Sequence, residues 1–381
     1  MGNDMVFDST RNVLYLSVPS SAGLPYGNSI VTLDPATGGI VHTTFVGSEP
    51  DRLAISSDGT RVYAGIDGAD SFCWWEPGTD TVGPLVYFTA SFGFGPYRAT
   101  AFAINPSDPH TVVVSKDDVS STAAGDLEVF QDNVSLQEMN LVYGAESICF
   151  NDATNLIGFN NADTGYDLWK WAFNGTHLTQ TQHVMGVIAG FNVDIKGVDG
   201  FIFSDNGTVV AGSTLLPLGT FSGLPVYSVV EPLPGTNTVY FLGSSSYGSG
   251  NLQLMCFDKK TFLKLDSKTF TNLVSSSVRS LFAAGKDASG AERLGYIQGD
   301  GHAGLITLTR PVFKIENFRS NGTNSQLTWP SDIGRQYQLQ RSPDLQNWTS
   351  FLTTNAIQYH TTVSFSSTPT TSREFYRVVG Q

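Results

Sequence analysis

A recurring pair of hairpins constrains what this chain can fold into. In Asp4 to Gly47, four short β-runs stand in a row: MVFD, VLYLSV, SIVTLD and VHTTFV. The first hairpin has a turn rich in Asp, Asn, Gly or Pro between two apolar runs. It recurs as RLAISSDGTRVYAGI from Arg52, TAFAINPSDPHTVVVS from Thr100 and SICFNDATNLIGFN from Ser147. Looser copies are VDIKGVDGFIFS from Val193, SVVEPLPGTNTVYFLG from Ser228 and RSLFAAGKDASGAERLGYI from Arg279. A second hairpin follows: SIVTLDPATGGIVHTTF from Ser29, SFCWWEPGTDTVGPLVYF from Ser71, DLEVFQDNVSLQEMNLVY from Asp126 and DLWKWAFNGTHLTQTQHV from Asp167. VVAGSTLLPLGTF from Val209 is a weak copy and LQLMCFDKKTFLKLDSKTF from Leu252 a clear one. Short runs rich in Val, Ile, Phe, Tyr and Thr are strands, and turns such as Asp-Pro-x-Thr-Gly stabilise tight reversals. No amphipathic helical period interrupts them.

Four strands per unit, repeated seven times at a period of about 35 to 50 residues, predict an all-β fold. The expectation is a seven-bladed β-propeller over residues 1–311, in which each blade buries its faces against its neighbours and the ring must close. The seventh unit supplies only RSLFAAG, RLGYIQ and GLITLTRP. Its fourth strand is expected from residues ahead of Asp4, where only MGN stands, so the written start is not expected to be the biological start. Without such a strand, the blade offers an open edge to an incoming one. After Pro311 the pattern changes, and alternating runs around a Trp predict a small β-sandwich over 312–381.

Charge and composition narrow the function classes. The formal charge of −13 argues against nucleic acid and anionic membranes, which need Lys and Arg. Charged residues make up only 14%, so hydroxyls and amides solvate the surface. No run of about 18 apolar residues is present to span a membrane, and MGNDMVFDS shows no signal peptide. Cys73, Cys149 and Cys256 are dispersed and lack zinc spacing, which reads as three small buried apolar residues.

Asn28–Gly47 (NSIVTLDPATGGIVHTTFVG) and Glu49–Gly65 (EPDRLAISSDGTRVYAG) resemble the YVTN/lactonase-like repeats of seven-bladed propellers in secreted bacterial proteins. The order DMVFDSTRNVLYLSVPS, GSEPDRLAISSDG, FGPYRATAFAINPSDP fits as well, although the family usually has a segment before the first blade. The tail, with YQLQRSPDLQNW and EFYRV, is similar to fibronectin-III-like modules of Verrucomicrobia and Planctomycetes. The resemblance implies a propeller, a fibronectin-like module and an extracellular or cell-surface setting. It implies no catalytic residues.

In such a ring, the links between second and third strands share a face with the links between blades. These links are polar and acidic here. They carry Asp67, Asp70, Asp117, Asp118, Asp126, Asn160, Asn161, Asp163, Asp167, Asp205 and Asp300. Hard cations need several oxygen ligands at once, and NNADTGYD makes Asn160, Asn161, Asp163 and Asp167 the candidate Ca²⁺ ligands. The competing reading is that Asp, Asn and Gly are ordinary turn formers. FTASFGFGPYRA places Phe92, Phe94, Tyr97 and Arg98 on the same face as candidate ligand-binding residues; alternatively they plug the seam between the second and third blades. Trp74/Trp75 and Trp169/Trp171 fall in third strands, one of each pair expected on each sheet face. Asn133, Asn174, Asn206, Asn321 and Asn347 are candidate glycosylation sites.

The six histidines show neither metal spacing nor a partnered nucleophile, and no catalytic motif is present. The expected function is a non-catalytic extracellular structural or adhesive protein that assembles with its own copies or other surface components. The alternative is a glycan- or protein-binding propeller that uses its acidic, aromatic loop face. A lactonase-like hydrolase stands third. No cofactor is expected beyond Ca²⁺.

Overall fold

The strands form where β-branched and aromatic runs lie between Asp/Asn/Gly turns. In SSDGT, for example, Gly59 takes φ +69°, a backbone geometry that glycine adopts without strain. This computed structural model describes residues 2–88, 95–118, 125–139, 141, 144–248, 250–275, 277–308, 315, 317–321, 323–331, 335–357, 360–366 and 373–380. Two compact units result, Met1–Leu308 and Thr309–Gln381.

The first unit is a seven-bladed β-propeller. Blade 1 contains β1 (Met5–Asp8), β2 (Val13–Val18), β3 (Ser29–Leu33) and β4 (Ile40–Phe45). Blade 2 contains β5 (Pro50–Ile55), β6 (Val62–Ile66), β7 (Ser71–Glu76) and β8 (Thr81–Val82), and β9 (Val86–Tyr87) also pairs with β7. Blade 3 contains β10 (Tyr97–Asn105), β11 (Asp108–Asp118), β12 (Gly125–Gln131) and β13 (Val134–Met139). Blade 4 contains β14 (Ser147–Asp152), β15 (Asn155–Phe159), β16 (Asp167–Phe173) and β17 (Leu178–Met185). Blade 5 contains β18 (Ile195–Val198), β19 (Phe201–Ser204), β20 (Thr208–Ala211) and β21 (Pro217–Thr220). Blade 6 contains β22 (Val226–Pro232), β23 (Thr238–Ser244), β24 (Gly250–Asp258) and β25 (Lys264–Ser275). Blade 7 contains β26 (Val278–Lys286), β27 (Glu292–Gln298) and β28 (Ala303–Thr307).

Every blade is an antiparallel meander, and the first strand of each packs on the first strands of both neighbours, with β1 against β26 closing the ring. Among the described residues blade 7 has three strands. Among the described residues, Gly2 and Asn3 do not pair with β28. Gly2 N donates to Gly301 O (3.0 Å) and Asn3 N to Ser17 O (2.9 Å).

The apolar side chains gather at the seams between blades. Tyr15 and Ile30 meet Leu53, Val62 and Trp75 between blades 1 and 2. Tyr63 and Phe72 meet Tyr97, Val112 and Phe130 between blades 2 and 3. Seam 7–1 has the smaller set Met5, Leu14, Ala284 and Ile297. Each fully buried aliphatic or aromatic side chain contributes about 1.5–3 kcal/mol, so the ring is held by its seams. Trp75 is buried at its seam, whereas Trp74 lies half-buried with the Arg61 guanidinium 4.2 Å from its ring centre. Trp169 and Trp171 do not divide between faces as expected. They are two residues apart, the period of a strand, so they share one face with ring centres 5.9 Å apart.

Polar side chains stitch neighbouring inner strands. Leu53 N donates to Asp4 Oδ2 (2.9 Å), Ser115 Oγ to Ala145 O (2.7 Å), Ile195 N to Ser147 Oγ (3.0 Å), Val230 N to Asp205 Oδ1 (2.7 Å) and Ala283 N to Glu231 Oε1 (3.0 Å). Each inner strand is the edge of its blade and pairs on one side only, and these bonds satisfy some of the backbone groups on its other side.

The second unit consists of β29 (Asn317–Ser320), β30 (Asn324–Pro330), β31 (Gln336–Ser342), β32 (Thr349–Asn355), β33 (His360–Ser366) and β34 (Phe375–Gly380). They make two three-stranded antiparallel sheets, ordered β29-β30-β33 and β32-β31-β34. Leu327 and Trp329 from one sheet share a core with Tyr337 and Leu339 from the other.

Candidate functional site

The meander brings the links after second and fourth strands to one face of the propeller, where each inner strand also starts. The first charged residues of the inner strands therefore converge around the axis: Asp4, Asp51 and Arg52, Arg98, Glu146, Asp194 and Lys196, and Arg279. Asp67, Asp117, Asp163 and Asp205 join them from neighbouring positions on that face. A cavity of about 190 Å³ lies within the ring, lined in part by Asp4, Arg52, Asp194, Lys196, Asp205 and Arg279.

Carboxylates outnumber cations there, and their protonation records it. Asp205 is pushed up to about 8, by burial first and then by Asp194. Glu146 is pushed up to about 7 by burial, with Asp117 and Asp163 adding to it against two backbone hydrogen bonds. Asp67 rises to about 6 through burial and then Asp51, and its Oδ1 is buried without a hydrogen-bond partner. Burial also raises Asp4 and Asp117 above the usual carboxylate range. The cations are only partly matched to these groups. Lys196 Nζ meets Glu231 (2.6 Å) and donates to Leu281 O. Arg279 donates to Asn3 O (3.0 Å) and stands 3.8 Å from Asp51. Arg98 stands 3.6 Å from Asp117.

Around this mouth, exposed apolar and aromatic side chains form a rim. Tyr247, 80% exposed, stands edge-on to Tyr227, 60% exposed, with ring centres 5.9 Å apart. Phe191, 53% exposed, meets Tyr166 at 5.5 Å. Tyr87 and Met185 are exposed on the same side.

The structure places the residues expected for calcium in one loop, where Asn160 N donates to Asp167 O (2.8 Å). Asn160 Oδ1 accepts the N–H groups of Ala162 (3.0 Å) and Asp163 (2.9 Å), while its Nδ2 is buried without a partner. Asn161 Nδ2 reaches blade 5 at Val193 O and Asp194 Oδ1. Asp163 Oδ1 accepts Thr164 N, and Asp167 Oδ1 meets His183 Nε2, both at 2.5 Å. Asn160 and Asp163 thus share a turn, while Asn161 and Asp167 also make contacts to blade 5 and to β17.

Of the expected ligand-binding loop, Phe92 and Phe94 lie outside the described residues. Tyr97 is only 5% exposed and packs in the blade 2–3 seam with Phe72, Phe88 and Phe130. Its ring is therefore a seam residue and offers no open stacking surface, because β10 turns it inward. Arg98, the next residue along the strand, points the other way and is exposed.

Asn133, Asn174, Asn321 and Asn347 are exposed in turns. Asn206 is half-buried and its Nδ2 donates to Ala189 O (2.5 Å). Cys73, Cys149 and Cys256 are free thiols, with Cys73 buried and the other two half-buried.

Sequence reasoning missed Asp4, Asp51, Arg52, Glu146, Asp194, Lys196 and Arg279. Their signal was the position they share at the start of each first hairpin, visible only when the repeats are stacked on one another.

No protein-family profile matches the chain, and no characterised protein matches it by sequence. Solved structures do match. U3-55K superposes with a TM-score of 0.58 at 15% identity, over 81% of this chain and 95% of its own. The Cps50 (Swd1) β-propeller domain of Myceliophteria thermophila gives 0.58 at 10% identity, over 81% and 97%. A chain of Kuenenia stuttgartiensis hydrazine synthase gives 0.58 at 12% identity, over 81% and 96%. At such identities the likeness is one of fold, and it places this chain among the β-propellers.

Proposed function

We propose that this protein is a non-catalytic, protein-binding propeller that holds a basic segment of its partner on the face bearing the acidic mouth. The observation that carries the reading is that mouth with its rim. Acidic side chains outnumber the cations Arg52, Arg98, Lys196 and Arg279 around the axis, Asp51, Asp163 and Asp194 among them, and exposed Tyr227, Tyr247, Phe191, Tyr87 and Met185 stand on the same face. Exposed aromatics and Met around a polar patch are the composition of a contact surface. An excess of carboxylates speeds the approach of Lys- and Arg-bearing partners. That one similar structure is a chain of the mitotic checkpoint complex supports a scaffold role (TM-score 0.57, 10% identity, 78% of this chain and 84% of that one).

The test is selection from a random peptide display library on the immobilised protein. We expect selected peptides rich in Lys and Arg, bound more weakly as salt rises. The double substitution Tyr227→Ala/Tyr247→Ala should weaken them at least tenfold without changing the melting temperature, because both rings are largely exposed. Peptides without a basic bias, or peptides that bind the double variant as tightly, would sink this reading.

A second reading is a structural protein whose blade 7 accepts a strand from a neighbouring copy. It draws on the three strands of that blade among the described residues. Peptide selection that centres on β28 instead of the mouth would favour it.

A further inference from the structure

We propose that the axial cavity binds a small zwitterion of the α-amino-acid class, its carboxylate on Arg52 and its ammonium on Asp194. This site is independent of whatever docks on the rim.

The argument begins with which lining groups are already committed. Both oxygens of Asp4 accept backbone N–H groups, from Met5 (2.8 Å) and Leu53 (2.9 Å). Both oxygens of Asp205 do the same, for Val230 (2.7 Å) and Asp194 (3.1 Å). Lys196 is paired with Glu231, and Arg279 with Asn3 O and Asp51. Two charged groups remain. Arg52 makes no hydrogen bond or direct ion pair among the described residues, although it lines the cavity. Asp194 uses Oδ1 for Asn161 Nδ2 (3.2 Å), and its Oδ2 has no hydrogen bond among the described residues. Nearby, Ser280 Oγ lines the same cavity and is buried without a partner.

The two open groups come from blades 2 and 5, which lie across the axis from each other in a ring of seven. Their charges favour each other. Burial works against the Arg52 charge, and Asp194 is the foremost of the carboxylates that favour it, followed by Asp4. They nevertheless do not meet as an ion pair, so the space between a free guanidinium fork and a free carboxylate oxygen suits a ligand carrying both complementary charges. A guanidinium takes a carboxylate through two parallel N–H bonds, and Asp194 Oδ2 takes one ammonium N–H. Ser280 Oγ can complete either end. A simple cation would face Arg52 at close range and a simple anion would face Asp194, and each like-charge contact opposes binding. The volume, about 190 Å³, sets the size. A cavity of about 150 Å³ holds benzene, with its six heavy atoms, so this one holds about eight. That admits glycine, alanine, serine and similar amino acids.

The experiment is thermal-shift and calorimetric titration of the full chain with glycine, L-alanine, L-serine and L-aspartate. Methylammonium, acetate and N-acetylglycine are run at matched ionic strength. At least one amino acid should raise the melting temperature and bind with Kd below about 1 mM, while the single-charge probes bind at least tenfold more weakly. Arg52→Met and Asp194→Asn should each weaken the amino acid at least tenfold. Should Arg52→Met fail to fold, Asp194→Asn, which retains the acceptor for Asn161, decides alone. No response to any amino acid overturns the proposal. So does acetate or methylammonium binding as well as the amino acid, or an Asp194→Asn protein that keeps its affinity.

Discussion

Raising the pH should destabilise this propeller across the neutral range, and the amount can be worked from Asp205. Its carboxyl is buried, bonded to two backbone N–H groups and next to Asp194, and it titrates at about 8 when folded, against an ordinary value of 3.8. The folded state therefore holds a proton that the unfolded state has released. Stability is fully present below the unfolded value and is lost as pH rises from there through about 8. Between about pH 6 and about pH 8.5, one such group removes about 3 kcal/mol. At about 2 cal/mol/K per residue, the unfolding entropy of the propeller unit is about 600 cal/mol/K, so the melting temperature should fall by about 4 °C. Glu146, at about 7, and Asp67, at about 6, act in the same direction. The carboxylates with lowered values do not oppose this. Burial works against Asp8, but Thr10, Arg11 and Tyr15 hold it below 3.8, so its contribution is lost only in stronger acid. Scanning calorimetry at constant ionic strength measures the slope, and Asp205→Asn, which keeps the group neutral, should flatten it. Absolute melting temperatures of that variant also reflect a changed hydrogen bond to Asp194 N, so the slopes are what must be compared. A melting temperature that is flat or rising between these pH values would refute the reasoning, and so would an Asp205→Asn protein with the full wild-type slope.

Two further substitutions follow from buried side chains in blade 3. Tyr97→Ala should cost about 3 kcal/mol, the lower end for emptying a buried aromatic site, and urea denaturation should show it; an unchanged midpoint would mean that the ring does not fill the blade 2–3 seam. Lys116 is fully buried between Glu128 (2.9 Å) and Glu138 (2.6 Å), so Lys116→Met leaves two carboxylates without their cation and should cost about 3–5 kcal/mol. Replacing all three by apolar residues should recover most of that loss, and a single variant as stable as wild type would contradict the ion-cluster account.

The ring itself was legible in the sequence because it is built from local signals. Hairpin turns such as Ser57–Thr60 and the alternation of apolar residues are short-range patterns, and repetition supplies the seven units. The third strand of blade 4 shows where that reading slipped. Trp169 and Trp171 were expected on opposite faces, but the two-residue period of a strand already placed them together, and their rings stack. Tyr97 was harder. Its neighbours Phe72 and Phe130 come from β7 and β12, and no pattern within FTASFGFGPYRA shows that the first residue of β10 turns into the seam while Arg98 turns out. The same holds for NNADTGYD, where Asn161 reaches into the next blade.

The axis was not legible for a geometric reason. Residues that face one another across a closed ring are separated by whole blades of sequence, and which blade stands opposite which depends on how many units there are and on their closure by β1 against β26. Arg52 and Asp194 occupy equivalent places at the start of blades 2 and 5, yet they carry opposite charges. A repeat alignment sets them beside Asp4 in blade 1 and Ser147 in blade 4, each of which bonds a backbone N–H of the next inner strand. In a closed ring the blade-to-blade differences at that position, and not the repeat, hold the information about what the mouth can bind. Guanidinium groups stand near the starts of blades 2, 3 and 7, as Arg52, Arg98 and Arg279, and of these the Arg52 side chain makes no hydrogen bond or ion pair among the described residues, whereas Arg98 meets Asp117 and Arg279 meets Asn3 O and Asp51. The seams and the backbone stitches from Asp4, Ser115, Ser147, Asp205 and Glu231 already hold the inner strands together. Arg52 contributes to none of these bonds; Asp194, Asp4, Asp51 and Asp67 favour its charge against burial, and the proposed recognition role draws on its open place in the lining of the mouth.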